Sequence, residues 1–172
     1  ADHPQLNTIV HYDERGLGFH ALGIAKASET PVAIVCTSGS AVANLLPAVV
    51  EASMSCVPLI LLTADRPPEL IDCGANQAIQ QPEIFGDYVR STTNLSCPMT
   101  EVSPQVLLAA IDQTMHSAVG SNPGPVHINC PCRGPIPPER DGTEGAVYVE
   151  ALGEWNEQSA PWMSHIPDQR PY

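Results

Sequence analysis

Apolar, often β-branched residues gather in five short runs along the chain, at 8–11, 32–37, 59–63, 88–92 and 126–129. Between them lie three longer stretches whose apolar positions recur every three to four residues, at 14–28, 41–52 and 104–119. The first spacing suits strands and the second suits amphipathic helices. The strand runs are almost continuously apolar, which predicts strands covered on both faces. Strand–helix–strand alternation then predicts an α/β fold, a parallel sheet in a three-layer α/β/α sandwich with right-handed crossovers.

Two stretches break the pattern. Residues 66–85 are polar, contain Pro67-Pro68, and are long for a connection inside a compact domain, which marks a functional loop. From Arg133 onward the chain turns to Pro, Gly and acids, beginning Gly134-Pro135-Ile136-Pro137-Pro138-Glu139. The expected organisation is therefore a partial domain over 1–132. Residues 133–172 form an acidic Pro/Gly-rich linker or the start of a next domain, a weakly structured tail carrying Trp155 and Trp162. The first strand opens close to residue 1, so an amino-terminal strand and helix are expected to be missing.

Composition narrows the partners. The 172 residues carry a formal net charge of −12. A surface this acidic repels phosphate backbones and anionic lipid, which argues against nucleic acid and membrane surfaces. No apolar run approaches the roughly 20 residues of a membrane helix. Cys36, Cys56, Cys73, Cys97, Cys130 and Cys132 form no Cys-x-x-Cys pair and no disulfide framework. They read as reduced thiols of an intracellular protein, with no metal site. No basic stretch followed by an apolar one marks a targeting peptide at the start.

Candidate chemistry sits where strands hand over to helices, because open parallel sheets bind ligands at their carboxyl edge. Asp13 is placed to cap the first helix, and Glu14 is either a dipole-complementing first-turn acid or a catalytic carboxylate. Gly16, Gly18 and Gly23 cost helix stability and imply close approach of another element. Gly16-x-Gly18-x-x-Ala21 imitates a dinucleotide fingerprint, but no acid ends the second strand to hold a ribose. Thr37-Ser38-Gly39-Ser40 presents hydroxyls and N–H groups to a ligand, or is an ordinary cap supplied by Ser38 or Ser40. Arg66 offers a fork for a carboxylate, or is neutralised internally by Asp65 or Glu69. Asn76 and Gln77 offer both donors and acceptors, and otherwise make a bonded turn. His11, His20 and His127 read as structural.

Five segments in order carry a resemblance. They are Asp13-Glu14-Arg15-Gly16-Leu17-Gly18, Thr37 through Leu45 (TSGSAVANL), Leu61 through Leu70 (LLTADRPPEL), Asp72 through Ile79 (DCGANQAI) and Pro125 through Pro131 (PVHINCP). Together they resemble the amino-terminal pyrimidine-binding (PYR) domain of the thiamin-diphosphate-dependent 2-succinyl-5-enolpyruvyl-6-hydroxy-3-cyclohexene-1-carboxylate (SEPHCHC) synthases. These are the MenD type, and the plant and algal counterpart is the matching module of PHYLLO. The resemblance covers about residues 8–132.

The resemblance implies a synthase that decarboxylates 2-oxoglutarate and adds the succinyl unit to isochorismate in a 1,4-addition, on the way to menaquinone or phylloquinone. Its cofactors would be thiamin diphosphate and Mg²⁺, with the metal ligands in a Gly-Asp-Gly…Asn domain that this chain lacks. Glu14 matches the glutamate that bonds N1′ of the aminopyrimidine and drives loss of the C2 proton. Arg66 matches a substrate-carboxylate arginine, and Gln77 an active-site glutamine near isochorismate. Thr37, Ser38, Gly39 and Ser40 match the turn beside the pyrimidine ring, so the turn would serve the ring rather than a phosphate. Ser40 stands where Thr is usual and Cys132 where Phe is common. The family's upstream Pro-Gly-Ser-Arg-Ser segment is absent. The complete protein would be a homo-oligomer whose partner subunit supplies the diphosphate-binding domain, and this segment alone would be inactive. The compartment stays open, cytosol in a bacterium and chloroplast in a plant or alga. The alternative is a non-catalytic remnant acting in assembly or interaction.

Overall fold

The computed structural model of the protein describes residues 6–99, 101–134, 148–158 and 160–165. Four strands in the described residues, β1 (Val32–Cys36), β2 (Leu59–Asp65), β3 (Thr92–Asn94) and β4 (Val126–Pro131), form one sheet. Its order is β1-β2-β4-β3, and every neighbouring pair is parallel. The helices are α1 (Glu14–Ser28), α2 (Ser40–Ala43), α3 (Leu46–Met54) and α4 (Pro104–Val119).

Helix α1 starts where its sequence says it should. Asp13 is extended, and its side chain accepts from the N–H groups of Arg15 at 2.9 Å and Gly16 at 3.2 Å. The Arg15 guanidinium grips the same carboxylate and holds it well below the usual carboxylate range. Gly18, Ala21, Leu22 and Ala25 form the buried stripe of the helix. A β-carbon on Gly18 would lie 2.8 Å from that of Ala48, so glycine here lets α1 lie against α3. Gly23 faces open space.

Alternation along β2 builds the layers. Leu59 and Leu61 join Ile34 and Phe85 in a core under α1 and α3, while Ile60 joins Val126, Ile128 and Ala118 in a second core under α4. Each fully buried leucine contributes on the order of 1.5–3 kcal/mol. The sheet is thus covered on both faces at its centre, as the apolar strand runs predict.

The edges depart from the sequence expectation. Residues 8–11 form no strand, because no described strand edge pairs with them, and an apolar run without a ladder partner stays exposed. β1 is an edge strand whose Val35 is 72% exposed, so only its Val32/Ile34/Cys36 face is covered. The run at 88–92 becomes a 3-10 turn at Gly86–Tyr88, and the ladder starts at Thr92. Arg90 and Ser91 already run beside β4, through Arg90 N–H to Pro125 O at 2.7 Å and His127 N–H to Ser91 O at 3.0 Å. The helix expected over 41–52 is split into α2 and α3. Pro47 sits in the first turn of α3, where a missing N–H costs nothing but an earlier helix cannot run through it.

Residues 135–147 of the expected linker lie outside the described residues. The described part of the tail is docked rather than weakly structured. Gln105 Nε2 donates to Ala151 O at 2.7 Å, the Met163 N–H donates to Asp112 at 2.7 Å, and the Trp155 and Trp162 rings meet edge to face at 5.9 Å. No described helix is long and apolar enough to cross a membrane.

Toward the carboxyl ends of β2 and β4 the α1/α3 face turns polar while staying buried. Thr63 and Asp65 on β2 meet His127 and Asn129 on β4. Thr63 Oγ1 lies 2.8 Å from His127 Nε2, and Asn129 Nδ2 donates to Asp65 at 2.8 Å and to Asn94 at 2.7 Å. Burial lowers the His127 pKa to about 4 from its ordinary 6.5. Between those values the unfolded chain binds a proton that the folded chain refuses. The stability from neutral His127 is therefore complete above pH 6.5 and is lost as pH falls toward 4, by about 3 kcal/mol. Urea unfolding between pH 7 and 4.5 should show this slope in the parent protein and a shallower one in His127→Gln; equal slopes would refute the assignment.

Candidate active site

The candidate site lies at the carboxyl edge of β1 and β2, between the start of α1, the turn 37–40 and the loop 66–81. Glu14 occupies the first position of α1 and is half-buried. Its position is read from Cys36, the last residue of β1. Burial, and after it the Glu14 charge, push the Cys36 thiol up to about 11. The Glu14 carboxylate thus lies within electrostatic range of the end of β1, and the thiol there is inert at neutral pH. Among the described residues no group hydrogen-bonds the Glu14 carboxylate, which leaves it free for a ligand.

The turn after β1 is built by partners from far along the chain. Gly39 has φ 78 and ψ −139, a conformation open essentially to glycine alone. It precedes α2 without a side-chain cap. Ser38 Oγ donates instead to Gln77 O at 2.9 Å, and Ser40 is an exposed first residue of α2. Neither serine is the helix cap that a local reading allows. Gln77 Nε2 donates to Thr37 Oγ1 at 3.0 Å and Ser38 O at 3.1 Å. With both amide hydrogens engaged, Gln77 keeps Oε1 as the atom available to a ligand. Its backbone is left-handed, with φ 61.

Arg66 leaves the end of β2. Internal neutralisation by Asp65 or Glu69 does not occur. The Asp65 carboxylate accepts from the Arg66 backbone N–H at 2.7 Å and from Asn129, while Glu69 is gripped by Arg133 at 2.6 and 3.1 Å. That guanidinium holds Glu69 below the usual carboxylate range. Arg66 Nε donates to Asn76 O at 3.2 Å, which aims the side chain, and its two terminal nitrogens pair with no described carboxylate. A half-buried arginine in this state is suited to a bidentate carboxylate ligand.

Sequence reasoning missed Gln81. It is fully buried, and its Oε1 accepts the Gly39 N–H at 3.0 Å. The available signal was the polar alternation Thr63/Asp65 and His127/Asn129 inside otherwise apolar strands, which demands a buried polar partner.

The site thus combines a free carboxylate at the edge of a parallel sheet, a hydroxyl-bearing glycine turn and an unpaired arginine. The family described as thiamine pyrophosphate enzyme, N-terminal TPP binding domain, matches residues 1–90. The chain belongs to that family, and its cofactor class is thiamin diphosphate. Among curated proteins it is similar to three named 2-succinyl-5-enolpyruvyl-6-hydroxy-3-cyclohexene-1-carboxylate synthase. That of Shewanella halifaxensis (strain HAW-EB4) is 50% identical over 162 residues, covering 94% of this chain and 28% of the relative. That of Salinibacter ruber (strain DSM 13855 / M31) is 48% identical over 172 residues, covering 99% and 29%. That of Cronobacter sakazakii (strain ATCC BAA-894) is 48% identical over 165 residues, covering 96% and 29%. The chain spans 28–29% of the length of these relatives.

The residues present fit thiamin diphosphate on their own chemistry. The half-buried Glu14 carboxylate, bonded to no described group, is an acceptor open to a heterocycle, and Thr37 to Ser40 form a hydrogen-bonded turn that directly follows Cys36, the thiol that feels the Glu14 charge.

Proposed function

We propose that the protein is the pyrimidine-side part of a SEPHCHC synthase, which decarboxylates 2-oxoglutarate and joins the succinyl unit to isochorismate in menaquinone or phylloquinone synthesis. Relatives of that name at 48–50% identity over nearly the whole chain support this reading. The observation that carries it is Arg66, whose terminal nitrogens meet no described carboxylate while Asp65 and Glu69 are engaged elsewhere. Both substrates are carboxylates.

Thiamin diphosphate, when bound, supplies the means to stabilise negative charge at the carbon that loses CO₂. Glu14 holds a proton against N1′ of the pyrimidine. Thr37, Ser38, Gly39 and Ser40 wall the ring. Arg66 binds a substrate carboxylate, and Gln77 Oε1 accepts from a substrate hydroxyl. Mg²⁺ and the diphosphate belong to a domain outside this chain, carried by a partner subunit of a homo-oligomer. Exposed Ile9, Val10 and Tyr12, which immediately precede Glu14 in the chain, support a covering domain there, since adjacent apolar side chains left at a surface favour burial against a partner. In this reading the domain runs over 1–132, and 133–172 lead out of it.

The complete gene product, supplied with thiamin diphosphate and Mg²⁺, should release CO₂ from 2-oxoglutarate and form a covalent adduct with isochorismate, read by mass spectrometry. Arg66→Lys keeps the charge and loses the fork, and should raise KM about 10-fold or more for the substrate it holds. No adduct from the complete, cofactor-loaded protein would rule the reading out.

A further inference from the structure

We propose that Gln81 is a positioning residue that locks the ring-side turn 37–40 to the ends of β2 and β4, from which the Arg66 loop departs. The role in catalysis rests on the synthase reading; the brace itself does not.

Gln81 is 0% exposed and lies within a polar loop, yet it is bonded on every side. Its Oε1 accepts the Gly39 N–H at 3.0 Å. Its Nε2 donates to Ala64 O and to Asn129 Oδ1, both at 2.7 Å, with Thr63 Oγ1 at 3.3 Å. Ala64 is two residues before Arg66. One side chain therefore joins the turn flanking the ring to the strand that launches the substrate arginine.

Glutamine suits this place because it offers acceptor and donor at once. Glutamate, when ionised, would turn an oxygen toward Ala64 O and Asn129 Oδ1 and repel both. Methionine has the length and neither function. Gln77, four residues earlier, grips the outer side of the same turn, through Thr37, Ser38 and its own carbonyl. Gln77 is exposed and faces the site, whereas Gln81 anchors it from within. Gly39 has no other acceptor within the turn, and its unusual φ makes the turn prone to relax once that bond is lost. Displacements near 1 Å cost about 10²-fold in rate when reacting groups must be aligned.

The test uses the complete gene product with Gln81→Met and Gln81→Glu. In the cofactor-free protein, amide hydrogen exchange is followed for a peptide spanning 37–42, with a β2 peptide as internal reference. Gln81→Met should exchange at least 10-fold faster in the turn and unchanged in β2. With cofactor and substrates, Gln81→Met should lose about 10- to 100-fold in kcat with a smaller change in KM. Gln81→Glu should be active only while its carboxyl is protonated and can donate. Burial raises that pKa, so its kcat should fall with rising pH across a range where the parent is flat. Parental exchange and kinetics in Gln81→Met, measured well below its melting temperature, would overturn the proposal. Should Gln81→Met not fold, a flat pH profile in Gln81→Glu would overturn it equally. A parent without synthase activity, but with the turn loosened in Gln81→Met, would sink the synthase reading and uphold the brace.

Discussion

Glu14→Gln in the complete gene product is expected to slow exchange of the thiamin C2 proton by about 10²- to 10⁴-fold, the range spanned by loss of a positioned acid–base group. The substitution keeps the shape of the side chain and removes its ability to give and take a proton. It should be nearly silent for folding. No described group bonds the Glu14 carboxylate, and Asp13, not Glu14, caps α1. Only the interaction of a first-turn acid with the helix dipole is lost, about 0.3–1 kcal/mol. The Cys36 thiol supplies an internal check. Part of its rise to about 11 comes from the Glu14 charge, so its titration should move down in Glu14→Gln while remaining raised by burial. A lowered Cys36 pKa with near-parental C2 exchange would place Glu14 beside β1 and deny it the role at N1′. Normal folding with C2 exchange abolished, and cofactor affinity retained, is the expected pattern.

That prediction uses residues already visible in the chain, and the reason is local. The Asp13 cap and the Gly18/Ala21/Leu22/Ala25 stripe are short-range signals, and α1 and α4 form over the residues that the apolar spacing marks. Motif order marks Arg66 and Gln77 as candidates, but not the states in which the fold holds them. Whether Arg66 is free depends on Asn129 and Arg133, each more than sixty residues away, which occupy Asp65 and Glu69. The strand expected at 8–11 failed for a related reason. Strand propensity alone does not make a strand: residues 8–11 pair with no described strand, although β1 leaves an edge open. Gln81 was the largest omission, because a glutamine in a Pro-bearing loop has no local mark of burial. What betrays it is a demand made elsewhere. Asn129 and Thr63 share one face of β2 and β4, in register, and their buried oxygens require donors.

The same dependence makes a single methyl at Gly39 damaging, as Gly39→Ala should show. A Cβ at Gly39 would stand 3.0 Å from Gln77 Cγ and 3.1 Å from Gln77 O. Neither atom yields easily, since Gln77 is itself held at φ 61 and accepts from Ser38 through that carbonyl. The backbone at φ 78, ψ −139 adds strain of about 1–3 kcal/mol for any residue with a side chain. In a domain of this size that lowers the melting temperature by about 2–4 °C per kcal/mol. Relief requires the turn to swing away from the 77–81 segment, breaking the Gly39–Gln81 bond and moving the turn proposed to wall the ring. Stability and turnover should therefore fall together, with kcat down at least roughly 10-fold well below the melting temperature. Gly124→Ala separates the two effects. Its Cβ would strike the Arg90 guanidinium at 2.5 Å, at the amino end of β4 and on the opposite edge of the sheet from the site. Displacing Arg90 loosens its bonds to Ser53 and Pro123, which costs stability and leaves the turn untouched. Paired thermal melts and steady-state kinetics at 15 °C should show both variants destabilised and only Gly39→Ala slow. A Gly39→Ala protein with parental kcat at that temperature would mean that the turn tolerates displacement, and that the geometry around the ring is set elsewhere.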